Sequence, residues 1–123
     1  MAAEERKEAI QRANSTSCPI VHAVDIIGET WRLNVLLALQ DGELRFNELK
    51  RETEARSRTL SQTLETLLEN DLVERRSEEA DPIAVYYSLS EKAKALRPVF
   101  EDLETWADEW LDDPGDADPS EEL

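Results

Sequence analysis

The hydrophobic positions of the chain first recur at three- and four-residue spacing, which is typical of helices that bury one side. A first stretch at this spacing begins at Cys18-Pro19 and ends at Gly28, and a second one covers 31–40. Proline at a first helical position and glycine after a last one are ordinary helix boundaries. The pattern therefore predicts two consecutive helices. Their apolar sides consist of Ile20, Val21, Val24, Ile27, Trp31, Val35, Leu36 and Leu39.

Two more helices follow after a possible minimal strand at 44–46, and only a short turn separates them. The first is predicted at 47–52 with Leu49 facing inward, and the second at 57–70 with Ser57 as its N-cap. The buried side of the longer helix consists of Leu60, Leu64, Leu67 and Leu68. Two helices joined in this way predict a helix-turn-helix unit.

Beyond these helices the pattern changes to alternation, which predicts strands at 72–77 and 84–89 joined by a polar turn. Ser90 then caps a last helix that continues to Trp110, and Pro98 inside it should kink or divide it. The predicted fold class is mainly α with a small β-hairpin, in the arrangement of a winged helix-turn-helix.

The two ends of the chain differ in composition from its centre. We predict an N-terminal helical extension at 1–17, a folded domain at 18–111 and an acidic disordered tail at 112–123. The sequence has no apolar run long enough to cross a membrane and no apolar signal-peptide core. We therefore expect a cytoplasmic protein without a membrane partner.

Acidic side chains outnumber basic ones by 29 to 14, which gives a net charge of −15. Only four of the basic residues are lysines. Such a composition is typical of a cytoplasm of high salt, as in haloarchaea, where charge repulsion is screened; an ordinary acidic protein with an acidic tail is the alternative. Residues 45–76 carry 7 basic and 7 acidic groups, whereas residues 77–123 carry 3 and 15. The helix-turn-helix segment is therefore the least acidic part of the chain.

The polar side of the helix at 57–70 has side chains suited to reading DNA bases. A reading helix enters the major groove with polar residues near its N-terminus, where arginine pairs with guanine and glutamine with adenine. The predicted base-reading residues are Ser57, Arg58, Thr59, Ser61 and Gln62. A solvated face on a structural helix is the alternative, and the neighbouring short helix and hairpin favour DNA binding.

Basic side chains flank this helix in sequence, and we expect them to bind DNA phosphates. They are Lys50, Arg51, Arg56, Arg75 and Arg76. For the last two, on the first strand of the hairpin, the alternative is a charge pair with the neighbouring Glu74 and Glu78. The hairpin turn is acidic and would repel DNA, so the strands rather than the tip are expected to contact phosphate.

Single residues offer little other chemistry. Cys18 beside Pro19 would be redox-active if its pKa were lowered, but a small buried hydrophobe is the preferred interpretation. His22 is the only histidine and is expected to be packed or interfacial. Because the sequence has no cluster of metal ligands, phosphate loop or catalytic pair, we expect no metal, no cofactor and no enzymatic activity.

The last predicted helix carries more apolar surface than a domain of this size covers alone. Trp106 and Trp110 lie four residues apart and so share one helical face. A dimer interface is preferred over a ligand pocket. The predicted interface residues are Ile20, Val24, Phe100, Leu103, Trp106 and Trp110.

Six short motifs together resemble the HxlR-type transcription regulators, a branch of the MarR-like winged-helix group. Their order and spacing make the match specific over Cys18 to about Trp106, although each motif is weak alone. In chain order they are Cys18-Pro19, Ile27-Gly28-Glu29-Thr30-Trp31, Arg45-Phe46-Asn47-Glu48-Leu49, Arg58-Thr59-Leu60-Ser61-Gln62, Leu72-Val73-Glu74-Arg75 and Tyr87-Ser88-Leu89-Ser90-Glu91-Lys92.

The resemblance implies a homodimeric regulator of transcription that binds double-stranded DNA at a palindromic or repeat operator. The helix at 57–70 would enter the major groove, the hairpin at 72–89 would be the wing, and the terminal helices would form the dimer. Thr63 and Ala84 stand where relatives usually or often have basic residues, which weakens the expected wing contacts.

Some relatives sense oxidants or electrophiles through a cysteine at the position of Cys18. With no second cysteine in this chain, a disulfide would have to join the two subunits. One alternative function is thus a Cys18-based redox regulator that responds to a small-molecule or oxidant effector. The acidic surface gives a second alternative, an acidic winged-helix protein-interaction module.

Overall fold

The computed structural model describes residues 18–79 and 83–111; the predicted N-terminal extension, the centre of the hairpin turn and the acidic tail lie outside these ranges. In chain order the elements are helix α1 (Pro19–Ile27), helix α2 (Thr30–Ala38), a 3-10 turn (Leu39–Asp41), strand β1 (Leu44–Arg45), helix α3 (Phe46–Thr53), helix α4 (Ser57–Glu69), strand β2 (Val73–Glu78), strand β3 (Ala84–Leu89), helix α5 (Glu91–Lys94) and helix α6 (Arg97–Trp110). Among the described helices, none is long and apolar enough to cross a membrane.

Most helix boundaries follow the predicted signals. Gly28 ends α1, and Pro98 occupies the first turn of α6, so that the predicted last helix is divided into α5 and α6. The predicted cap of α5 is confirmed, because the Ser90 hydroxyl accepts a hydrogen bond from the amide of Ala93. Local sequence signals therefore set where these helices begin and end.

The prediction that Ser57 caps α4 is wrong. Arg56 occupies the N-cap position with extended backbone, and Ser57 is the first helical residue. In the described structure no side chain caps this end of α4. Its first amide groups therefore have no intrahelical partner and are open to other acceptors.

The strands form one antiparallel sheet in the order β1-β3-β2. β2 and β3 pair over six residue pairs, from Val73–Leu89 to Glu78–Ala84, and form the predicted hairpin. β1 adds a third strand to this hairpin through only two pairs, Leu44–Tyr87 and Arg45–Tyr86. The minimal strand predicted near residue 44 is confirmed, and it joins the hairpin to the segment that leads into α3.

The core lies between α2, α3, α4 and the root of the sheet. Leu49, Leu60 and Leu67 are 0 % exposed, and the full burial of one such side chain contributes about 1.5–3 kcal/mol. In the predicted leucine stripe of α4, Leu64 is also buried and Leu68 is half-buried. The remaining buried hydrophobic residues are Val35, Leu36, Leu39, Ala55, Leu72, Val73, Leu89 and Ala93.

The C-terminal end of α1 is held by hydrogen bonds from α2. Nη1 of Arg32 donates to the carbonyl oxygens of Asp25 and Ile26 at 3.2 and 3.0 Å. Glu29 caps α2 by accepting hydrogen bonds from the amides of Trp31 and Arg32. Every residue of α1 is exposed or half-buried, so the helix projects from the body of the domain in a fixed direction.

Candidate nucleic-acid interface

The turn between α3 and α4 is fixed by local contacts. Glu54 ends α3 with a φ of 59°, in the left-handed region. Oγ1 of Thr53 donates to the carbonyl oxygen of Leu49 at 2.7 Å and accepts from the amide of Ala55 at 3.3 Å. Because Ala55 is buried, this turn sets the angle between the two helices and the direction in which the start of α4 points.

The N-terminal half of α4 presents polar side chains to solvent. Ser57, Arg58, Ser61 and Gln62 are exposed, and Thr59 is half-buried at the border of the core. The structure therefore brings the predicted base-reading residues together on the side of α4 that the leucine stripe leaves free. The first turn of α4 contains no acidic side chain, so nothing there opposes the positive end of the helix dipole.

Thr63 lies on the buried side of α4. It is 7 % exposed, and its hydroxyl donates to the carbonyl oxygen of Thr59 at 2.8 Å. This position therefore faces the core in this chain, and the expectation that relatives carry a phosphate-binding residue here stays a prediction. A threonine that bonds back to its own helix satisfies its hydroxyl there without a partner from outside.

Three of the predicted phosphate-binding residues surround the turn between α3 and α4. Lys50 and Arg51 lie at the end of α3, Arg56 directly precedes α4, and all three side chains are exposed. Lys50 and Arg51 line an open cleft of about 1100 Å³. Ile83 and Val85, at the start of β3, line the same cleft, which therefore separates the helix-turn-helix from the hairpin.

Arg75 and Arg76 differ although they are neighbours on β2. Arg75 is exposed, and within residues 18–79 and 83–111 no carboxylate lies within 4.0 Å of its charged atoms. Arg76 forms 2.7 Å ion pairs with Glu43 and with Glu78. The hydrogen bond to Glu43, and then that to Glu78, raises the pKa of Arg76 above its usual value. The charge pair given as the alternative is therefore present between Arg76 and Glu78, whereas the pair with Glu43, 33 residues away in sequence, could not be seen in the local pattern.

An apolar stripe runs along α6 on the outside of the domain. Leu103, Trp106 and Trp110 are 54 %, 54 % and 72 % exposed, and Ile20 and Val24 on α1 are 75 % and 57 % exposed. Phe100 differs from the other predicted interface residues, because it is half-buried and packs against the core of its own domain. Residue spacing alone could not show that Phe100 faces the core while Leu103, Trp106 and Trp110 face solvent.

Cys18 and His22 lie at the start of α1. Cys18 is a free thiol that is partly exposed on the single protomer, so the choice between a small buried hydrophobe and a redox-active thiol stays open. His22 is exposed rather than packed within the domain. Both side chains are therefore accessible on the part of the molecule that also carries Ile20 and Val24.

A helix pair with a fixed turn, an exposed polar start to its second helix and an adjacent antiparallel hairpin define a winged helix-turn-helix, a DNA-binding architecture. A profile of the HxlR-like helix-turn-helix family matches residues 26–114. The HTH-type transcriptional regulator YodB of Bacillus subtilis (strain 168) is 34 % identical over 110 residues, which are 88 % of this chain and 97 % of YodB. The chain belongs to the HxlR-like helix-turn-helix family and is a DNA-binding transcriptional regulator.

Two solved structures share this fold. The reduced form of YodB from B. subtilis superposes with a TM-score of 0.71 at 32 % identity, covering 77 % of this chain and 95 % of that one. The redox regulator HypR in its oxidized form superposes with a TM-score of 0.70 at 30 % identity, covering 78 % of this chain and 100 % of that one. The predicted fold class, family and general function are confirmed.

Proposed function

We propose that this protein acts in the cytoplasm as a homodimer without enzymatic activity, and that it regulates transcription by binding a palindromic or repeat operator. The observation that carries this proposal is the start of α4, where Arg58, Ser61 and Gln62 are exposed on a helix anchored by buried leucines. An anchored helix holds its reading residues in one geometry, which base recognition in the major groove requires. Ser57 and Thr59 complete the reading surface.

The phosphate contacts that position α4 are assigned to Lys50, Arg51, Arg56 and Arg75. The first three flank the α3–α4 turn, and Arg75 lies on β2, which follows α4 in the chain. All four are exposed basic side chains close in sequence to α4. Guanidinium and ammonium groups at such places fix the register of a protein on DNA without reading its sequence. The domain is then oriented from both sides of the cleft between α3 and β3.

The homodimer is assigned to α1 and α6. Trp106 and Trp110 are large aromatic side chains that remain mostly exposed on one protomer. Exposed aromatic clusters of this kind mark protein interfaces. Ile20 and Val24 extend the apolar surface onto α1. Phe100 packs against the core and so anchors α6 to its own domain.

Footprinting on the DNA upstream of the protein's own gene tests this proposal. A dimer should protect two half-sites whose centres lie about 10 bp apart or a multiple of that distance. Protection in two related half-sites at this spacing supports the proposal. A set of upstream fragments on which the folded protein protects no sequence would overturn it.

We also propose that DNA binding persists in concentrated KCl. Each phosphate contact normally lowers the logarithm of the binding constant by about 0.9 per logarithmic unit of salt. Cations held between the many surface carboxylates and the DNA phosphates would offset this loss. If the logarithm of the binding constant falls with log KCl as steeply as for an ordinary basic regulator, this part of the proposal is wrong. The proposal of DNA binding itself would stand.

A second candidate function is redox regulation through Cys18. It is supported by the partial exposure of this thiol at the start of α1, beside the apolar surface assigned to the dimer. It is also supported by the relative HypR, which is a redox regulator. If oxidant releases the operator from the parent protein and not from a Cys18→Ser variant, the thiol is the sensor; equal release from both excludes it.

A further inference from the structure

On one face of the sheet, three residues lie in register across the three strands. Arg76 of β2 pairs in register with Tyr86 of β3, and Tyr86 pairs with Arg45 of β1. The guanidinium of Arg76 lies over the Tyr86 ring, 4.6 Å from its centroid. Beyond that ring it reaches Glu43, with Nη2 to Oε1 at 2.7 Å and Nε to Oε2 at 3.4 Å. The side chain of Arg76 therefore crosses over Tyr86 of β3 and meets the side chain of the residue before β1.

This row of residues connects the outer part of the hairpin to the segment before α3. Glu43 directly precedes β1, and β1 leads without a loop into α3. β1 and β3 share only two residue pairs, whereas β2 and β3 share six. The root of the hairpin is held in the core through Val73 and Leu89, whereas its outer part is joined to the segment before α3 only by the two pairs with β1. Arg76 adds another attachment, from the far strand of the hairpin to Glu43, the residue directly before β1.

Each of the three guanidinium nitrogens of Arg76 already donates to a carboxylate, which uses three of its five N–H groups. Nε and Nη2 bind Glu43, and Nη1 binds Glu78 at 2.7 Å. Because its guanidinium faces two carboxylates, an approaching phosphate would have to compete with Glu43 and Glu78 for Arg76. Surface ion pairs are individually weak, but a bidentate arginine in a network with a cation–π contact is the arrangement in which they contribute.

We propose that Arg76 is a positioning residue that holds the wing against the helix-turn-helix through Glu43 and Tyr86, and that it does not bind phosphate. This inference rests on the proposed function for its effect on DNA, and it corrects the prediction that Arg76 is a phosphate ligand. Arg75, one residue earlier and without an ion partner in the described residues, keeps that role. The two adjacent arginines of β2 thus have different tasks.

The direction in which Glu43→Gln changes DNA affinity distinguishes phosphate binding by Arg76 from positioning of the wing. If Arg76 binds phosphate, Glu43→Gln removes a competing carboxylate and should strengthen DNA binding. If Arg76 positions the wing, Glu43→Gln and Arg76→Gln both weaken binding, by roughly three- to fivefold, although they change the net charge in opposite directions. The double variant should bind no more weakly than either single one, because both substitutions break the same contact.

Matched controls come from the same strand. Arg75→Gln removes an equal charge and should reduce the slope of log binding constant against log KCl by about 0.9, whereas Arg76→Gln should leave this slope unchanged. Glu74→Gln removes an exposed carboxylate from the same sheet face as Arg76 and should not weaken binding. Fluorescence anisotropy on the footprinted operator gives all these values. Tighter binding of Glu43→Gln together with a reduced slope for Arg76→Gln would overturn the proposal.

Amide hydrogen exchange on the DNA-free protein tests the attachment by itself. Exchange in β2 and β3 should become faster in Arg76→Gln and Glu43→Gln, while the core amides of α2 keep their protection and Arg75→Gln behaves like the parent. Unchanged exchange of the strands would refute the attachment. Faster exchange in a protein that binds no DNA would instead refute the proposed function and leave the attachment standing.

Discussion

The hydroxyl of Ser90 donates a 2.6 Å hydrogen bond to the carbonyl oxygen of Asp71. Asp71 follows α4 with a φ of 57°, and Ser90 lies between β3 and α5. The bond therefore joins the end of α4 to the start of the C-terminal helices, across 19 residues of chain. Oγ of Ser90 also accepts a hydrogen bond from the amide of Ala93 at 3.1 Å. This one buried hydroxyl therefore caps α5 and links it to the end of α4.

Ser90→Ala should lower the free energy of unfolding by about 1–2 kcal/mol, because it removes an N-cap and leaves a carbonyl without its donor. Urea denaturation followed by tryptophan fluorescence measures this change. Ser88→Ala, a half-buried serine on the same segment, is the control and should change stability by less than about 0.5 kcal/mol. Equal losses for the two variants would show that the link contributes nothing specific.

Glu54→Gly should raise the stability, because glycine adopts the left-handed conformation of this position without the strain that a side chain causes. The strain is about 1–2 kcal/mol, and the greater freedom of glycine in the unfolded chain offsets part of it, which leaves a gain of up to about 1 kcal/mol. Glu52→Gly, two residues earlier within α3, should instead cost about 1 kcal/mol. Thermal unfolding of both variants should therefore show shifts of opposite sign, and a destabilised Glu54→Gly would contradict the assigned turn.

Trp106→Ala should weaken dimerisation by at least tenfold, since aromatic anchors at the centre of interfaces often contribute about 2 kcal/mol or more. Sedimentation equilibrium over a range of protein concentrations measures the dissociation constant. Asp108→Ala is the control, because residues two positions apart on a helix do not share a face. A parent protein that is monomeric at all these concentrations would rule out the assigned interface.

Helical periodicity predicted most of this fold because the core is built from leucines at regular spacing. Leu60, Leu64 and Leu67 were expected inside, and they are buried. Thr63 was not recognised as buried, since its hydroxyl is satisfied by its own helix and leaves no hydrophobic signal in the sequence. Ser57 was assigned as the N-cap from residue preference, which cannot resolve a boundary to one residue.

The parts of the candidate site that depend on residue spacing within one helix could be predicted from the sequence. The contacts between residues distant in sequence could not. The exposed start of α4 follows from the spacing around its leucines. The pair of Arg76 with Glu43 depends on the register of β1 with β3, which two residue pairs define and no sequence pattern reveals. The sequence indicated only Glu78, which is one of the two carboxylates that Arg76 contacts. The proposal that Arg76 positions the wing therefore depends on the structure and not on the sequence pattern.

The most direct test of base reading by α4 compares the footprinted operator with a scrambled duplex of equal length, by anisotropy in KCl. Arg58→Ala/Gln62→Ala should lower the ratio of the two binding constants by roughly 30-fold or more, because each bidentate base contact discriminates by about 1–3 kcal/mol. Binding to the scrambled duplex should change far less. Arg97→Ala, which removes an exposed arginine at the start of α6, should leave the ratio unchanged. An unchanged ratio in the Arg58→Ala/Gln62→Ala variant would contradict the account.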